Sequence, residues 1–420
     1  MLTTILLSLP APAHVGGLLQ GVEVQHSSGV TIETSFGVLR ATDGENYSWL
    51  CHEAITTADA LITPRYAVSG DGVILGVVPV PEQARDKGLA LYRTRDGCDW
   101  GTPTGADGLT ITDAAFDPSD SERALLITAD LADGADNYIL TSSDAGQSFS
   151  PVLTATERLF RTVEVSPTGT VWVSAVWYDR DEGYLYRSDG GEDFTEHVVP
   201  VPDSEQPIDV DVIAVSPDDP MTAWVVVGGY GDDTLQHTTD GGKSFVEVFS
   251  TAGDIISGTT DSDGAVWIVV SGQLLYRSVD GVSFTEVTSA PTGLAISAAA
   301  VGVWMATDAI VGGGAIAQRS TDGGASFDLA MHLSTLSPPP TCAAESHSAV
   351  LCDPLWEALK IRLPLPLTEG DSGDTDTDTG STDQPDTGTL ETSEDCGCGD
   401  SEGAAVVLLG IGLLGLRRRR

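Results

Sequence analysis

The sequence predicts an all-β protein, a seven-bladed β-propeller, with an acidic stalk and a short apolar helix following it. Three observations predict this. The 420 residues include 47 Gly and 22 Pro with aromatics at only 6%, a mix that suits short strands joined by tight turns better than long helices. One turn pattern recurs along the chain. Alternating apolar and polar residues flank each copy of it.

The turn pattern is clearest in Ser142-Ser-Asp144-Ala-Gly146-Gln-Ser148-Phe149, Thr238-Thr-Asp240-Gly-Gly242-Lys-Ser244-Phe245 and Ser320-Thr-Asp322-Gly-Gly324-Ala-Ser326-Phe327. All three fit Ser/Thr-x-Asp-x-Gly-x-Ser-Phe. Degenerate copies run from Asp43 to Trp49, Thr94 to Trp100, Arg187 to Phe194 and Ser278 to Phe284, the second and fourth of these one residue shorter in the turn. The aspartates Asp43, Asp96, Asp144, Asp189, Asp240, Asp280 and Asp322 stand 40 to 53 residues apart, which is the length of a four-stranded blade. The pattern's physical role is local: Asp and Ser/Thr side chains bond the turn's own backbone, Gly takes a positive φ, and Phe149, Phe245 or Phe327 packs beneath.

The flanks read as strands. Gly183 to Arg187 and Gln273 to Arg277 precede a turn, and Phe194 to Val199 and Phe284 to Val287 follow one, so the turn sits in a hairpin. Upstream lie runs rich in Val and Trp: Val171 to Val173, Ala223 to Val227, Val266 to Val270 and Val303 to Met305. Before these come inner strands such as Thr162 to Val165 and Asp211 to Val215. Four strands make a blade.

This turn resembles the Asp-box, or BNR repeat, of sialidases, sortilin-type sorting receptors, the photosystem II assembly factor and some xyloglucan-cleaving glycosidases. The resemblance covers about Leu18 to Leu363. It implies a propeller with seven such turns, one per blade between third and fourth strands, on the face opposite the ligand site. It carries over no catalytic residue. The sialidase constellation of three arginines opened by an Arg-Ile-Pro-like motif is absent; Thr63-Pro-Arg65-Tyr66 is the closest approach, and sialidases have six blades.

The ends read as addresses. Residues 1–13 combine an apolar run, Met1 to Leu9, with the small-x-small pattern Ala11-Pro12-Ala13, a signal-peptide pattern without basic residues in front; an ordinary first strand is the other reading. The propeller occupies 18–363. Residues 369–395 turn to Asp, Thr, Gly and Ser, a composition that cannot bury enough surface to fold and that self-repels into an extended stalk of up to about 80 to 90 Å. Its alternating aspartates suggest calcium without completing a known loop.

Residues 396–420 carry Cys396-Gly-Cys398, an apolar run from Gly403 to Leu416, and Arg417 to Arg420. This ensemble resembles the myxobacterial sorting signal MYXO-CTERM, which implies export, removal of the apolar tail and a surface anchor on Cys396 or Cys398. An uncleaved membrane tail is the alternative, and either places the body outside the cytoplasm, at the outer membrane or cell surface.

Lys+Arg number 20 against 62 Asp+Glu, a net charge of −42, which excludes a nucleic-acid partner and keeps the protein soluble at high salt. Cys51, Cys98, Cys342 and Cys352 suit disulfides once export is read. The expected pairs are Cys51–Cys98, in adjacent blades, and Cys342–Cys352, whose segment around Ser346 to Val350 is expected to close the ring as a strand. The histidines show no metal-ligand spacing, so no metal or other cofactor is expected beyond the calcium reading.

Ligand-face positions are expected in the loops between second and third strands. The candidates are Trp177, Tyr178, Asp179, Asp181, Asp232 and Asp233, because carboxylates beside aromatics suit sugars or cations. The function expected is a non-catalytic binding or structural surface module for a glycan or protein. The alternative is a glycosidase, which needs two opposed carboxylates on separate blades.

Overall fold

The structure is a computed structural model. It describes residues 21–26 by backbone alone and 29–41, 46–55, 64–78, 91–177, 182–201, 208–228, 233–298, 302–309 and 311–362 in full. The expected signal peptide, stalk and anchor, Cys396 and Cys398 included, lie outside the described residues, as do Asp43, Tyr178, Asp179, Asp181 and Asp232. Among described residues no helix is long and apolar enough to cross a membrane.

Seven sheets follow one another along the chain, each built from consecutive antiparallel strands, with one later strand added to the first. Blade 1 comprises Gly21–His26, Val30–Thr34, Gly37–Ala41 and Tyr47–Leu50. Blade 2 has three strands, Arg65–Val68, Ile74–Val77 and Leu91–Thr94. Blade 3 runs through Ile111–Asp117, Asp120–Thr128, Asp136–Ser142 and Ser150–Thr156. Blade 4 has Leu159–Val165, Val171–Trp177, Glu182–Ser188 and Thr195–Val199. Blade 5 has Asp209–Val215, Ala223–Gly228, Asp233–Thr238 and Val246–Thr251. Blade 6 has Ile255–Thr260, Val266–Val270, Leu274–Ser278 and a short Thr285–Glu286. Blade 7 has Gly293–Ala298, Val303–Thr307, Ala315–Ser320 and Asp328–His332. This is the seven-bladed propeller.

The core explains the sequence pattern. Apolar side chains gather in layers between neighbouring blades, so a second strand is buried on both faces. In blade 6, Trp267 and Val269 join the layer shared with blade 7, while Val266, Ile268 and Val270 join the layer shared with blade 5. A strand covered on both sides reads as a continuous apolar run, not an alternating one, which is why Val266 to Val270 has no polar residue. Outer strands face solvent, as the largely exposed Val246–Thr251 does.

A recurring cross-strand pair stiffens the blades. Trp172 faces Arg187, Trp267 faces Arg277 and Trp304 faces Arg319 across second and third strands. Each guanidinium carbon sits over its indole, at 5.7, 5.0 and 5.8 Å from the ring centre, a cation–π geometry. In blade 5 the same place holds Trp224 and His237, stacked 4.7 Å apart.

Ring closure departs from expectation. Among the described residues blades 1 and 7 exchange no strand; they meet through an apolar layer that includes Ile32, Val38, Trp304 and Ala306. After blade 7 the chain adds Leu336–Ser337 in parallel to the outer edge of blade 1, pairing Leu336 with Tyr47. Pro338 to Pro340 then end that strand, because proline has no N–H to donate.

The segment expected as a strand is instead the start of helix α1, His347–Arg362. Ser348, Cys352 and Leu359 are its buried positions, a helical spacing of four and seven that outweighs the apolar content read as strand. The disulfides are correspondingly Cys51–Cys352 and Cys98–Cys342, with Cα–Cα distances of 5.4 and 5.5 Å. This corrects the expected pairs Cys51–Cys98 and Cys342–Cys352. The closing segment 336–362 lies along blades 1 and 2 as a strap, so each of its cysteines meets a different blade.

Candidate functional site

In blades 2 to 7 the turn after the third strand is built from the hydroxyl that ends that strand. In blade 3 the Ser142 hydroxyl donates to Asp144 Oδ1 at 2.7 Å and accepts from the Gly146 amide at 2.9 Å. Asp144 Oδ1 also accepts from the Gln147 and Ser148 amides, both at 2.9 Å, and Oδ2 from the Ser148 hydroxyl at 2.7 Å. Asp240 and Asp322 repeat this arrangement with Ser244 and Ser326. Asp96 and Asp280 do so in turns one residue shorter.

Partial burial pushes the Asp144 carboxyl up, but bonds from Ser148, Ser142 and Gln147 outweigh it and hold it down at about 2. The Ser244 bonds bring Asp240 to about 2, and the Ser326 bonds bring Asp322 to about 2. Phe149 is 4% exposed beneath its turn. Phe245 and Phe327 are partly buried in the layers behind theirs.

Asp189 is the exception. The hydroxyl ending its third strand is Ser188, which accepts from the Gly191 amide at 2.8 Å. Two residues on, where other turns carry the carboxylate, stands Gly190. Asp189 turns outward to pair with Arg187 instead. Asp96, Asp144, Asp240, Asp280 and Asp322 are thus engaged by their own turns.

First strands surround a central channel of about 990 Å³. Its wall is laced from blade to blade. Asp113 Oδ2 accepts from the Val163 amide at 3.0 Å, Thr162 Oγ1 from Val212 at 2.9 Å, and Ser257 Oγ from Ile296 at 3.1 Å. Such bonds fix the wall before any ligand arrives.

At the end opposite the repeat turns, the wall divides in character. Blades 6 and 7 present Ile256, 45% exposed, and Leu294. Blades 2 to 5 present Arg65, Asp113 and, beside them, Arg161 with its carboxylates. Arg161 bonds Asp211 through Nε at 2.9 Å and Nη2 at 3.2 Å, and Asp209 through Nη1 at 2.9 Å. Asp113 is half-buried in the wall and borders the channel. Burial raises its carboxyl to about 6, against the opposing pull of Arg65 and of the Val163 and Ala114 amides.

A further polar cluster joins blades 1 and 2. Tyr66 hydroxyl lies 2.9 Å from His52 Nδ1, and His52 Nε2 lies 3.0 Å from the Thr34 carbonyl. A carbonyl only accepts, so Nε2 carries the proton and Nδ1 accepts from the tyrosine. Burial, then Glu33 and Glu53, push the Tyr66 hydroxyl well up.

Of the expected ligand-face residues, Trp177 and Asp233 are described, and both face inward to the fold. Arg158 is sandwiched with its guanidinium carbon 4.1 Å from the Trp177 ring centre and 3.9 Å from that of Tyr184. Asp233 is 7% exposed, and its Oδ2 accepts from the Ile255 amide of the next blade at 2.7 Å. Sequence reasoning missed Asp113, Arg161 and Asp211. Their signal was a charged residue on a first strand, as in Asp209-Val-Asp211-Val. No group of three metal-ligating side chains gathers among the described residues.

The chain matches no described protein family and no curated protein. Solved structures resemble it in fold. An ancestral GH74 enzyme aligns at 13% identity and a TM-score of 0.53, covering 74% of this chain and 46% of that one. A puromycin-hydrolyzing peptidase of Mycobacterium tuberculosis aligns at 13% identity and a TM-score of 0.50, covering 79% and 56%. YCF48 from Cyanidioschyzon merolae aligns at 15% identity and a TM-score of 0.46, covering 71% and 93%. This chain thus spans less than half the length of the ancestral GH74 enzyme. At such identities the likeness is one of β-propeller fold.

Proposed function

We propose that this protein is an exported, envelope-anchored propeller that binds a glycan or protein at the cell surface without turning it over. Its ligand would sit at the channel end away from the repeat turns, which we read as Asp-boxes. The observation that carries the non-catalytic reading is the commitment of the mouth carboxylates. Asp211 and Asp209 hold Arg161, and Asp113 holds the Val163 amide. Carboxylates that fasten one blade to the next are structural groups, and moving their protons would loosen the ring.

The apolar arc of Ile256 and Leu294 opposite that charged arc supports binding, because a preformed concave surface with both characters suits an amphipathic ligand such as a sugar face or a peptide. Export and anchoring rest on the residue patterns at 1–13 and 396–420, and the oxidised cysteine pairs agree with them. No cofactor is invoked. Mass spectrometry of the mature protein tests the anchor: the reading expects loss of Arg417 to Arg420 and a modified Cys396 or Cys398. An intact, unmodified tail overturns it. Ile256→Glu is expected to weaken binding of a captured ligand at least about tenfold while leaving the fold intact.

A glycosidase keeps one specific observation in its favour. Asp113 is pushed up to about 6 near an Asp211 paired with Arg161, and carboxyls of contrasting proton affinity are what glycoside cleavage uses. Product release abolished by Asp113→Asn or Asp211→Asn, or by the same change at Asp179, Asp181 or Asp232, would establish it.

A further inference from the structure

The strap that closes the ring holds two disulfides in different surroundings. Cys51 and Cys352 are 1% and 0% exposed, packed with Trp49, Leu50 and Leu359 in the apolar layer of blades 1 and 7. Trp356 of α1 lies 5.9 Å from Trp49, centre to centre, and helps cover them. Cys98 and Cys342 are both partly exposed, Cys98 in the repeat turn of blade 2 and Cys342 just after the proline run. Around this outer bridge the strap is held by polar contacts. The Ser348 amide donates to the Cys98 carbonyl at 3.0 Å, the Ser348 hydroxyl to the Gly97 carbonyl at 2.5 Å, and His347 Nδ1 lies 3.5 Å from Asp99.

Thiol–disulfide exchange needs a thiolate to reach a sulfur along the S–S axis, so access decides which bridge exchanges in a folded protein. We propose that the strap is a two-stage thiol latch. The outer Cys98–Cys342 bridge opens to a dithiol reductant while the protein stays folded, and the inner Cys51–Cys352 bridge opens only when blade 1 itself unfolds. In the first stage a reductant thiolate attacks one sulfur of the outer bridge and forms a mixed disulfide, and the other cysteine leaves as thiolate and takes a proton. The reductant's second thiol then displaces the remaining cysteine and leaves as the cyclic disulfide. The products are two cysteine thiols and one oxidised dithiol.

The structural consequence is partial release. With the outer bridge open, the polar contacts that still tie the run from Pro338 through the first turn of α1 to blade 2 are, among the described residues, those of Ser348 and His347. Leu336–Ser337 on blade 1 and the inner bridge still close the ring. The latch thus exposes the repeat turn of blade 2, around Gly97 and Asp99, to a reducing partner without dismantling the propeller.

The test is graded reduction of the full-length protein under native conditions with dithiothreitol, followed by alkylation and peptide mass spectrometry. Cys396 and Cys398 are scored separately. Cys98 and Cys342 are expected to be labelled at a dithiol concentration at least about tenfold below that needed for Cys51 and Cys352. Labelling of all four together, or of the inner pair first, overturns the proposal. A variant carrying Cys98→Ser and Cys342→Ser is expected to show faster amide exchange across 343–350 and unchanged exchange in blade 4. Unchanged exchange at 343–350, or global unfolding of that variant, would equally contradict it.

Discussion

The sequence aligns Asp144 with Asp189, but Gly190 stands at the carboxylate position of the second turn, and the two aspartates make different bonds. Asp144 accepts from four groups of its own turn, whereas Asp189 reaches back to Arg187 and is 76% exposed in its side chain. Asp189→Ala is therefore expected to change the urea midpoint little, within about 0.5 kcal/mol. Ser188→Ala, which leaves the buried Gly191 amide without its acceptor, is expected to cost about 1 kcal/mol or more. Equal losses from the two variants in urea melts would reject this division.

Asp144→Asn tests the turn through pH. The folded carboxyl is held at about 2, below the value of roughly 4 that it has in an unfolded chain. The stabilisation it brings is complete above pH 4 and disappears as pH falls toward 2. The gap between wild-type and variant urea midpoints should be full at pH 6 and should close over that window; a gap constant from pH 6 to 2 would show that the charge is not what matters.

At the scale of elements, the regular blades were the legible part. Val171 to Val173, Ala223 to Val227 and Val266 to Val270 lie within observed second strands, because burial between two blades leaves an unbroken apolar run. The closing strap was not legible. A strand of two residues, Leu336–Ser337, has no period to detect, and the helix after it shows only a few apolar positions facing one blade. The cysteine pairs were misassigned for the same reason, since sequence neighbours on a strap that crosses two blades bond to different partners. Leu359 is fully buried where α1 meets blade 1, so Leu359→Ala is expected to destabilise the ring by about 2 to 5 kcal/mol. Thermal unfolding reads this loss, and a change below about 0.5 kcal/mol would mean that α1 rests on the ring without supporting it.

The whole molecule is a ring whose two ends differ. One carries the repeat turns, whose hydrogen bonds are satisfied internally. The other carries the channel mouth, where charged and apolar arcs face each other across a wall fixed by bonds between first strands. The loops between second and third strands lie at that same end, but of the residues selected there Trp177 and Asp233 pack inward. Asp113, Arg161 and Asp211 went unnoticed because a charged residue on a first strand does not reveal its partner some 50 residues away on the next blade. The strongly acidic surface, net −42, favours neutral or basic partners and a steep salt dependence for the basic ones.

The central claim is binding without turnover at the channel mouth. Its most direct test incubates the purified protein with a panel of surface glycans, polysaccharides and protein partners, with and without calcium, and follows bound ligand and released product in the same samples. The account predicts saturable binding that Ile256→Glu weakens, with no product over the uncatalysed background. Product that accumulates with wild-type protein and vanishes with Asp113→Asn or Asp211→Asn would contradict it and make the mouth an active site.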